Sequence, residues 1–348
     1  MDKEPRRVSF PQDENEHRYI VEWWYFNGNL EDRRGNQYAF MDCLFKFDIK
    51  RIKFPFISEL PIPVNNIYSH HSILSDISRQ KSYPHIDYVV RPSRDSFRKP
   101  LLFVKHGNCH IRKMCNAEYL LKNSQVSLRM KPNKGPMLEG KRGFIVLPGH
   151  RSTYYYSLTG MEAQGTVIVN GGPTRVRGRC WMDHQWANVK YKKNKWIWLS
   201  MQMDDGTDIM CFEYGKRKAK RLACIMDKNG KQANTTRIRM KPTGTVWTSP
   251  YTRTEYPLSW RIEIPCRKAE LVAEPAIKNQ EMLFGPINYW EGPLKISGTF
   301  DGRDVSGRGF LELTGYEPKC GLPRLVRQEL QNAISYELKG VRQMLHGM

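Results

Sequence analysis

Two short segments combine charged and aromatic side chains in a way that is suited to proton transfer. In the first, Val21 to Gly28 (VEWWYFNG), Glu22 lies among bulky rings. In the second, Gly178 to Trp186 (GRCWMDHQW), Asp183 precedes His184. A carboxyl group surrounded by rings is poorly hydrated, which raises its pKa and keeps it protonated near neutral pH. A histidine, with an ordinary pKa of about 6.5, could accept a proton from water. The two segments therefore indicate acid–base chemistry beside an apolar cavity.

The backbone must position these groups, and a strand would divide them between two faces. Glu22 and Trp24 would face one way, and Trp23 and Tyr25 the other, so neither face would be simply hydrated. A structural role is the alternative for the second segment. Asp183 and His184 would then form hydrogen bonds with the backbone of a loop, while the tryptophans would belong to the core. A functional interpretation requires partners from elsewhere in the chain.

Other signatures of chemistry are missing from the sequence. It has no Walker loop, no dinucleotide fingerprint after a strand, no G-x-S-x-G elbow and no H-E-x-x-H motif. The eight cysteines include no C-x-x-C pair, so free thiols are favoured over a metal or disulfide framework. The adjacent His70 and His71 are interpreted as polar loop residues. We expect neither a cofactor nor a bound metal.

Turn residues indicate how the chain is built between about residues 19 and 316. Short strands alternate there with Asp, Asn and Gly, which accept the backbone conformations of tight hairpins. The predicted hairpins join 21–30 to 38–47, 165–169 to 174–181, 196–203 to 208–214 and 294–300 to 305–313. Antiparallel hairpins in series favour barrels or sandwiches, so the predicted fold class is all-β.

The predicted domain boundary is the lysine-rich run VKYKKNK at 189–195, which separates two hairpin-rich regions. We therefore divide the chain into domains 1–190 and 191–316 and a tail, 317–348. Apolar residues recur every three or four positions from Leu322 to Leu345, with arginines and lysines between them, which predicts a basic amphipathic helix. This helix would dock on the barrels or, alternatively, on a membrane surface or a partner.

The charge of the protein bears on its partners. The 348 residues carry a formal net charge of +21, with an isoelectric point near 9.6. A basic surface and tail predict contact with anionic lipid through residues 322–348. Nucleic acid is the weaker alternative, because the basic run at 216–221 is short and lies near a predicted turn. No secretory signal or membrane-spanning stretch is recognised, so we expect a cytoplasmic protein that is peripheral at the membrane.

Four motifs, in order, resemble the signatures of the AttH-like and carotenoid 1,2-hydratase family, which includes hydroxyneurosporene synthase. They are EWWYFN at 22–27, STYYYSLT at 152–159, GRCWMDHQW at 178–186, and the run that begins NYWEGPLK and ends at Tyr316. The lipocalin-like pericyclases of polyketide pathways are more distant members. The resemblance implies two tandem lipocalin-like antiparallel β-barrel domains with an apolar ligand cavity in or between them.

The resemblance also implies a reaction and the residues that carry it. Hydratases of this family add water across an isolated alkene of a long isoprenoid without a redox cofactor. Their functional His, Trp and acidic residue would fall on His184, Trp186 and Glu213. The chain departs from the hydratase pattern because Glu replaces Asp at 213 and Cys211 replaces Tyr. Cyclisation or isomerisation by a pericyclase, or carriage of a lipid or pigment, are the alternatives.

The chemistry of alkene hydration indicates which of these residues could act as the acid and which as the base. Protonating a trisubstituted alkene gives a tertiary cation, so the reaction needs a neutral acid and electron-rich rings beside it. Glu213 is the first candidate for the acid, followed by Asp183 and Glu22, and His184 would accept a proton from the attacking water. The predicted substrate-binding residues are Glu22, Trp23, Trp24, Tyr25, Tyr155, Trp181, Trp186 and Cys211.

Overall fold

The computed structural model describes residues 5–52, 66–89, 101–106, 109–148, 151–188, 195–215, 219–284 and 287–319. These residues form two antiparallel sheets, one from each half of the chain. The described helices are single turns: α1 at Ile49–Ile52 and 3-10 turns at Gln12–Glu14 and Pro265–Arg267. Within the described ranges, no helix is long and apolar enough to cross a bilayer. Strands therefore position the functional side chains.

The first sheet comprises twelve strands. They are β1 Val21–Asp32, β2 Gln37–Asp48, β3 Asn66–Asp76, β4 Lys81–Val89, β5 Phe103–His106, β6 Cys109–Lys113, β7 Tyr119–Lys122, β8 Val126–Pro132, β9 Met137–Leu138, β10 Phe144–Leu147, β11 Arg151–Val169 and β12 Gly172–Ala187. Their order is β4-β3-β2-β1-β12-β11-β8-β7-β6-β5, and β9 and β10 pair with β11. Strand β1 thus lies between β2 and β12.

The second sheet comprises ten strands. They are β13 Trp196–Met203, β14 Asp208–Tyr214, β15 Lys220–Met226, β16 Gln232–Thr235, β17 Arg239–Thr248, β18 Glu255–Ile264, β19 Ala269–Pro275, β20 Glu281–Phe284, β21 Ile287–Phe300 and β22 Arg303–Thr314. Their order is β16-β15-β14-β13-β22-β21-β19-β18-β17, and β20 pairs with β21. The paired central strands β21 and β22 carry the late motif identified in the sequence.

Each sheet curls around its own core. In the first sheet, Leu74 of β3 and Leu121 of β7 belong to one apolar cluster although their strands lie far apart in the sheet order. In the second sheet, Ala223 of β15 and Ile262 of β18 meet in the same way. Burying one face of a twisted sheet against itself produces a barrel. The structure thus confirms the all-β class and the two lipocalin-like barrels.

Two glycines mark places where neighbouring strands approach too closely for a side chain. A Cβ at Gly165 would lie 2.0 Å from the carbonyl oxygen of Ser127, and one at Gly298 would lie 2.1 Å from that of Glu270. Their φ angles of 158° and 142° are also unfavourable for other residues. Glycine inside a strand is typical of such close approach in a curled sheet.

The outer faces of the two barrels pack against each other. The shared cluster contains Tyr25, Trp181 and Tyr155 of the first sheet and Trp198 and Phe212 of the second, all nearly inaccessible to solvent. We call this region the inter-sheet layer. It is a third core, distinct from the two barrel interiors, and any polar group in it has been removed from water.

The predicted hairpins agree with the observed pairing. The turns near residues 35, 171, 205 and 301 join β1 to β2, β11 to β12, β13 to β14 and β21 to β22. His70 and His71, interpreted as loop residues, instead lie buried in β3, so that interpretation is wrong. The predicted boundary run, apart from its last residue Lys195, and the helix at 322–348 lie outside the described residues.

Candidate functional site

Strand alternation places the predicted site residues in separate compartments. On β1, Trp24 faces the interior of the first barrel, whereas Tyr25 faces the inter-sheet layer. On β12, His184 lies opposite Trp24, and Asp183 lies opposite Tyr25. Asp183 and His184 therefore point to opposite faces of one sheet. These two residues, although adjacent in the sequence, belong to two distinct polar clusters.

The first cluster surrounds Glu22 inside the first barrel. Its carboxylate accepts hydrogen bonds from His17 (Nδ1 to Oε1, 2.7 Å) and His184 (Nε2 to Oε1, 3.0 Å), and Lys46 lies 3.1 Å from Oε2. Burial alone would raise the pKa of Glu22, but these hydrogen bonds and the Lys46 charge lower it to about 2. The His17 ring stacks on Trp186 at 3.9 Å.

This Glu22 cluster is a charge-balanced network rather than a source of protons. His17, Glu22 and His184 have the composition of a metal site. However, the Lys46 ammonium group lies next to Oε2 and already neutralises the charge of the Glu22 carboxylate. The carboxylate is ionised at neutral pH because its pKa is lowered. It therefore cannot be the neutral acid that an alkene requires, and we assign it to the stability of the barrel.

Replacing Glu22 with Gln should destabilise the protein strongly at pH 7. The change leaves the buried Lys46 ammonium and His17 without their shared anion, a loss of about 3–5 kcal/mol in the free energy of unfolding. The lowered pKa stabilises the fold above pH 4.5, and this contribution disappears as the pH falls through about 2. Urea unfolding should therefore show a large difference between E22Q and the natural protein at pH 7 that shrinks in acid.

The control for this experiment is Glu213→Gln. Glu213 forms an ion pair with Arg221, whose side chain is 44% exposed, so its loss should cost no more than about 1 kcal/mol. Equal destabilisation by E22Q and E213Q would show that the Glu22 network contributes no more than a surface pair.

The second cluster is in the inter-sheet layer, around Asp183. The Asp183 carboxyl group accepts hydrogen bonds from Tyr155 (Oη to Oδ2, 2.7 Å), Ser157 (Oγ to Oδ1, 2.6 Å) and Trp181 (Nε1 to Oδ1, 2.6 Å). Trp198 of the second sheet donates to the Tyr155 oxygen at 3.0 Å. Burial raises the pKa of Asp183 to about 7, despite the three donors. Both sheets thus contribute to one dry hydrogen-bonded chain.

A further carboxyl group extends this chain. Glu139 Oε1 lies 2.9 Å from Ser157 Oγ, and burial raises the Glu139 pKa to about 8. The Ser157 hydroxyl has one hydrogen for these two carboxyl groups, so one of them has to bring a proton of its own. The higher pKa of Glu139 assigns that proton to Glu139. The layer therefore holds a carboxylic acid that is neutral at pH 7.

The third group is a pair of glutamates in the second sheet. Glu291 of β21 lies directly opposite Glu312 of β22, and both face the inter-sheet layer. Burial raises the pKa of each, to about 7 for Glu312, and the charge of Glu312 raises that of Glu291 further. Two carboxyl groups so placed disfavour each other's ionisation. A pair that held one proton near neutral pH would supply an acid and a base together.

Side chains from both sheets hold the two glutamates in place. Tyr25 of the first sheet donates a short hydrogen bond to Glu291, and Asn27 donates to the Tyr25 oxygen at 3.0 Å. Trp196 hydrogen-bonds Glu312. Glu291 is buried and Glu312 is half-buried, so water reaches the pair from the Glu312 side.

Half-buried aromatic rings lie at the same end of the inter-sheet layer. Trp23 and Phe45 are 6.3 Å apart on the first sheet, and Trp196 and Tyr214 are 5.7 Å apart on the second. All four pack against the layer while remaining partly accessible. We call these four residues the aromatic rim. An apolar molecule that contacts the rim would lie next to Glu312, which Trp196 bonds.

His71 links the rim to the strand that carries Glu291. Its ring lies 4.8 Å from that of Phe45, and its Nδ1 is 2.7 Å from the Tyr289 hydroxyl. Burial lowers the His71 pKa to about 3, so the ring is neutral. Tyr289 precedes Glu291 by two residues on the same face of β21. The histidine that sequence analysis assigned to a loop therefore helps to join the two sheets.

The structure does not bring the three predicted catalytic residues together. Glu213 lies on the face of β14 opposite Phe212, half-buried, with its Oε2 2.6 Å from Arg221. Cys211 belongs to the core of the second barrel, His184 to the first barrel, and Asp183 to the layer. Side chains alternate between the two faces of a strand. Phe212 faces the inter-sheet layer, so the next residue, Glu213, faces away from it. The ranking of Glu213 as the first acid is not supported by its surroundings.

The other predicted substrate-binding residues divide in the same way. Trp23, Tyr25, Tyr155 and Trp181 belong to the inter-sheet layer, whereas Trp24 and Trp186 belong to the first barrel with Glu22. Glu291 and Glu312 were not among the residues predicted from the sequence. Their signal was present in the predicted Asp301–Gly302 turn, because counting outward from a two-residue hairpin loop places position 291 opposite position 312.

Known proteins share this architecture. A solved AttH protein from Nitrosomonas europaea is 25% identical, with a TM-score of 0.77 over 90% of this chain and 98% of its own. Kievitone hydratase from Nectria haematococca is 16% identical, with a TM-score of 0.72 over 90% of this chain and 94% of its own. The latter similarity establishes the fold alone.

A sequence relative carries an enzymatic name. Dehydratase asqC of Emericella nidulans is 23% identical over 193 residues, which cover 51% of this chain and 54% of that protein. The match thus spans about half the length of this dehydratase. The sequence profile of the AttH-like family, by contrast, matches residues 2–316. The chain therefore belongs to the AttH-like family.

Proposed function

We propose that this protein is a hydro-lyase that adds water to, or removes water from, a carbon–carbon bond of an extended apolar molecule. The observation that carries the proposal is the Glu291–Glu312 pair, which faces the dry inter-sheet layer beside the aromatic rim. The names of the relatives, a dehydratase and a hydratase, support the same class of reaction. The substrate class is an isoprenoid- or polyketide-like chain.

One neutral and one ionised glutamate can together supply and accept the protons that hydration requires. The neutral glutamate donates its proton to an alkene carbon, which leaves a cation at the neighbouring carbon. Water then forms a bond to that cation, and the ionised glutamate accepts the proton that water releases. One proton has entered the product and one has returned to the pair, so the site is restored with the proton on the other carboxyl group.

Dehydration uses the same groups in reverse. The neutral glutamate protonates the leaving hydroxyl group, which departs as water, and the ionised glutamate removes a proton from the adjacent carbon. The developing positive charge would be stabilised by the carboxylate and by the faces of nearby rings, at about 0.5–2 kcal/mol for each ring. Trp196, which bonds Glu312, and Tyr25, which bonds Glu291, are the aromatic residues in contact with the pair.

Tyr25 and the Asp183 chain would act as positioning residues. Tyr25 fixes the Glu291 carboxyl group through its hydroxyl, while Trp198 ties the chain of Tyr155 and Asp183 to the second sheet. Displacement of one sheet against the other would break these bonds. The proposed site therefore depends on both barrels at once.

The test is to incubate the full chain with the apolar compounds that copurify with it, in heavy-oxygen water. Heavy oxygen in a new product, or loss of water from the starting compound, supports the hydro-lyase proposal. A rearranged product of unchanged mass would indicate an isomerase or cyclase instead. Recovery of the unaltered compound would indicate a carrier, and either of these results contradicts the proposal.

A further inference from the structure

A cluster in the interior of the first barrel takes no part in the proposed reaction. We propose that Asp42, His70 and Cys109 form a binding site for a divalent transition metal of the zinc type. The three side chains are at most 2% exposed, and their ligand atoms all lie within 4.8 Å of one another. Carboxylate, imidazole and thiolate are the side-chain ligands that zinc takes in proteins.

The three residues come from distant parts of the sheet. Asp42 and His70 lie on the paired strands β2 and β3, whereas Cys109 begins β6 near the other edge of the sheet. They meet because the sheet curls into a barrel. A metal bound there would link the two edges of the sheet, much as a disulfide links distant segments of a chain.

The distances are close to those of a coordinated ion. His70 Nε2 is 2.9 Å from Asp42 Oδ2, and Cys109 Sγ is 3.8 Å from Asp42 Oδ1. Ligand atoms around a tetrahedral zinc ion are separated by about 3.3–3.6 Å, given metal–ligand distances of about 2.0–2.3 Å. The ligand atoms lie within 4.8 Å of one another, so side-chain shifts of no more than about 1.5 Å would bring each pair to such a separation.

A second set of residues orients the proposed ligands. Asn123 Nδ2 donates to Asp42 Oδ2 at 2.5 Å, and its own oxygen accepts the backbone amides of Gln125 and Val126 at 2.7 and 2.8 Å, which fixes the direction of the amide. On the far side of the His70 ring, Asp87 Oδ2 lies 4.0 Å from Nδ1. A carboxylate behind a ligating histidine is a usual feature of zinc sites.

The charges also agree with a divalent ion. An Asp42 carboxylate and a Cys109 thiolate together neutralise two positive charges, and a neutral His70 completes a set of three protein ligands. Three ligands leave a coordination position for water or for a polar group of a bound molecule inside the barrel. His85, which is 2.8 Å from Asp87, closes the outer side of the cluster.

Cobalt(II) titration tests the site with a readout that is independent of catalysis. The full chain, freed of metal by a chelator, should take up a single Co²⁺ and develop a near-ultraviolet thiolate-to-cobalt absorption band. Cys109→Ser should abolish this band. Cys180→Ser is the matched control, because Cys180 is equally buried in the same barrel and is not part of the cluster; that variant should retain the band.

An isosteric variant protects the test against misfolding. Asp42→Asn keeps the shape of the side chain and should weaken Co²⁺ binding by more than about tenfold, while near-ultraviolet circular dichroism confirms that the barrel is folded. Failure of the natural chain to bind Co²⁺, or an unchanged band in C109S, would overturn the proposal. Either result would leave the hydro-lyase assignment untouched, since Glu291 and Glu312 lie outside this barrel.

Discussion

Glu312→Gln, and separately Glu291→Gln, should each reduce kcat by about 10²–10⁴-fold, the usual contribution of a positioned acid or base. Either change removes the proton-sharing pair, because an amide neither donates a carboxylic proton nor accepts one. The shape of the layer is preserved, so KM should change little. The pH dependence of the remaining activity should also lose one limb, since one of the two coupled ionisations is gone. Measurement of kcat and KM between pH 5 and 9 tests both expectations.

Glu213→Gln is the matched control for these variants. It makes the same chemical change in the same sheet, but on the face of β14 that points away from the layer. Activity should be retained within about twofold, as expected for a substitution away from the proposed site. Loss of activity in E213Q with retention in E312Q would reverse the assignment and return the acid role to the residue that family resemblance suggests.

Glu139→Gln should stabilise the protein at alkaline pH. Burial raises the Glu139 pKa from 4.5 to about 8 in the folded state. Stability is therefore greatest below pH 4.5 with respect to this group, and it declines as the pH rises towards 8, because only the unfolded chain ionises freely. The full cost is of the order of 5 kcal/mol. A Gln side chain avoids this cost and can still donate a hydrogen bond to Ser157.

Urea unfolding at pH 5 and pH 8.5 provides the measurement. The stability difference between E139Q and the natural chain should be small at pH 5 and should favour the variant by several kcal/mol at pH 8.5. The E213Q variant should show no such growth of the stability difference with pH. A constant difference across this range would mean that Glu139 is ionised in the folded protein and that the layer is not dry.

Much of the fold was predictable because local chemistry determines it. The turn residues at 170–172 and 301–302 fix the register of the flanking hairpins, and the strand alternation of VEWWYFNG correctly separates Trp24 from Tyr25. The pairing of Glu291 with Glu312 follows from the same turn. Such information is contained in a few adjacent residues, and family resemblance then indicated that the hairpins close into two barrels.

The site itself was less predictable, because it arises where two sheets meet. Nothing near Glu291 in the sequence shows that Tyr25, 266 positions earlier, bonds to it. Likewise, the histidines at 70 and 71 resemble loop residues until both faces of β3 are known to be buried. The family motif placed the acid at Glu213, whereas its strand turns that side chain away from the layer. Long-range packing decides which carboxyl group is removed from water.

The central claim is that the inter-sheet layer keeps carboxyl groups protonated at neutral pH and that Glu291 and Glu312 share one such proton. Infrared spectroscopy of the resting protein tests it most directly, through the carbonyl stretch of protonated carboxyl groups in pH difference spectra. This band should persist at pH 7, where ordinary glutamates are ionised, and it should weaken when Glu291 and Glu312 are both replaced by Gln. A spectrum without protonated carboxyl groups at pH 7, or a band unaffected by that double substitution, would contradict it.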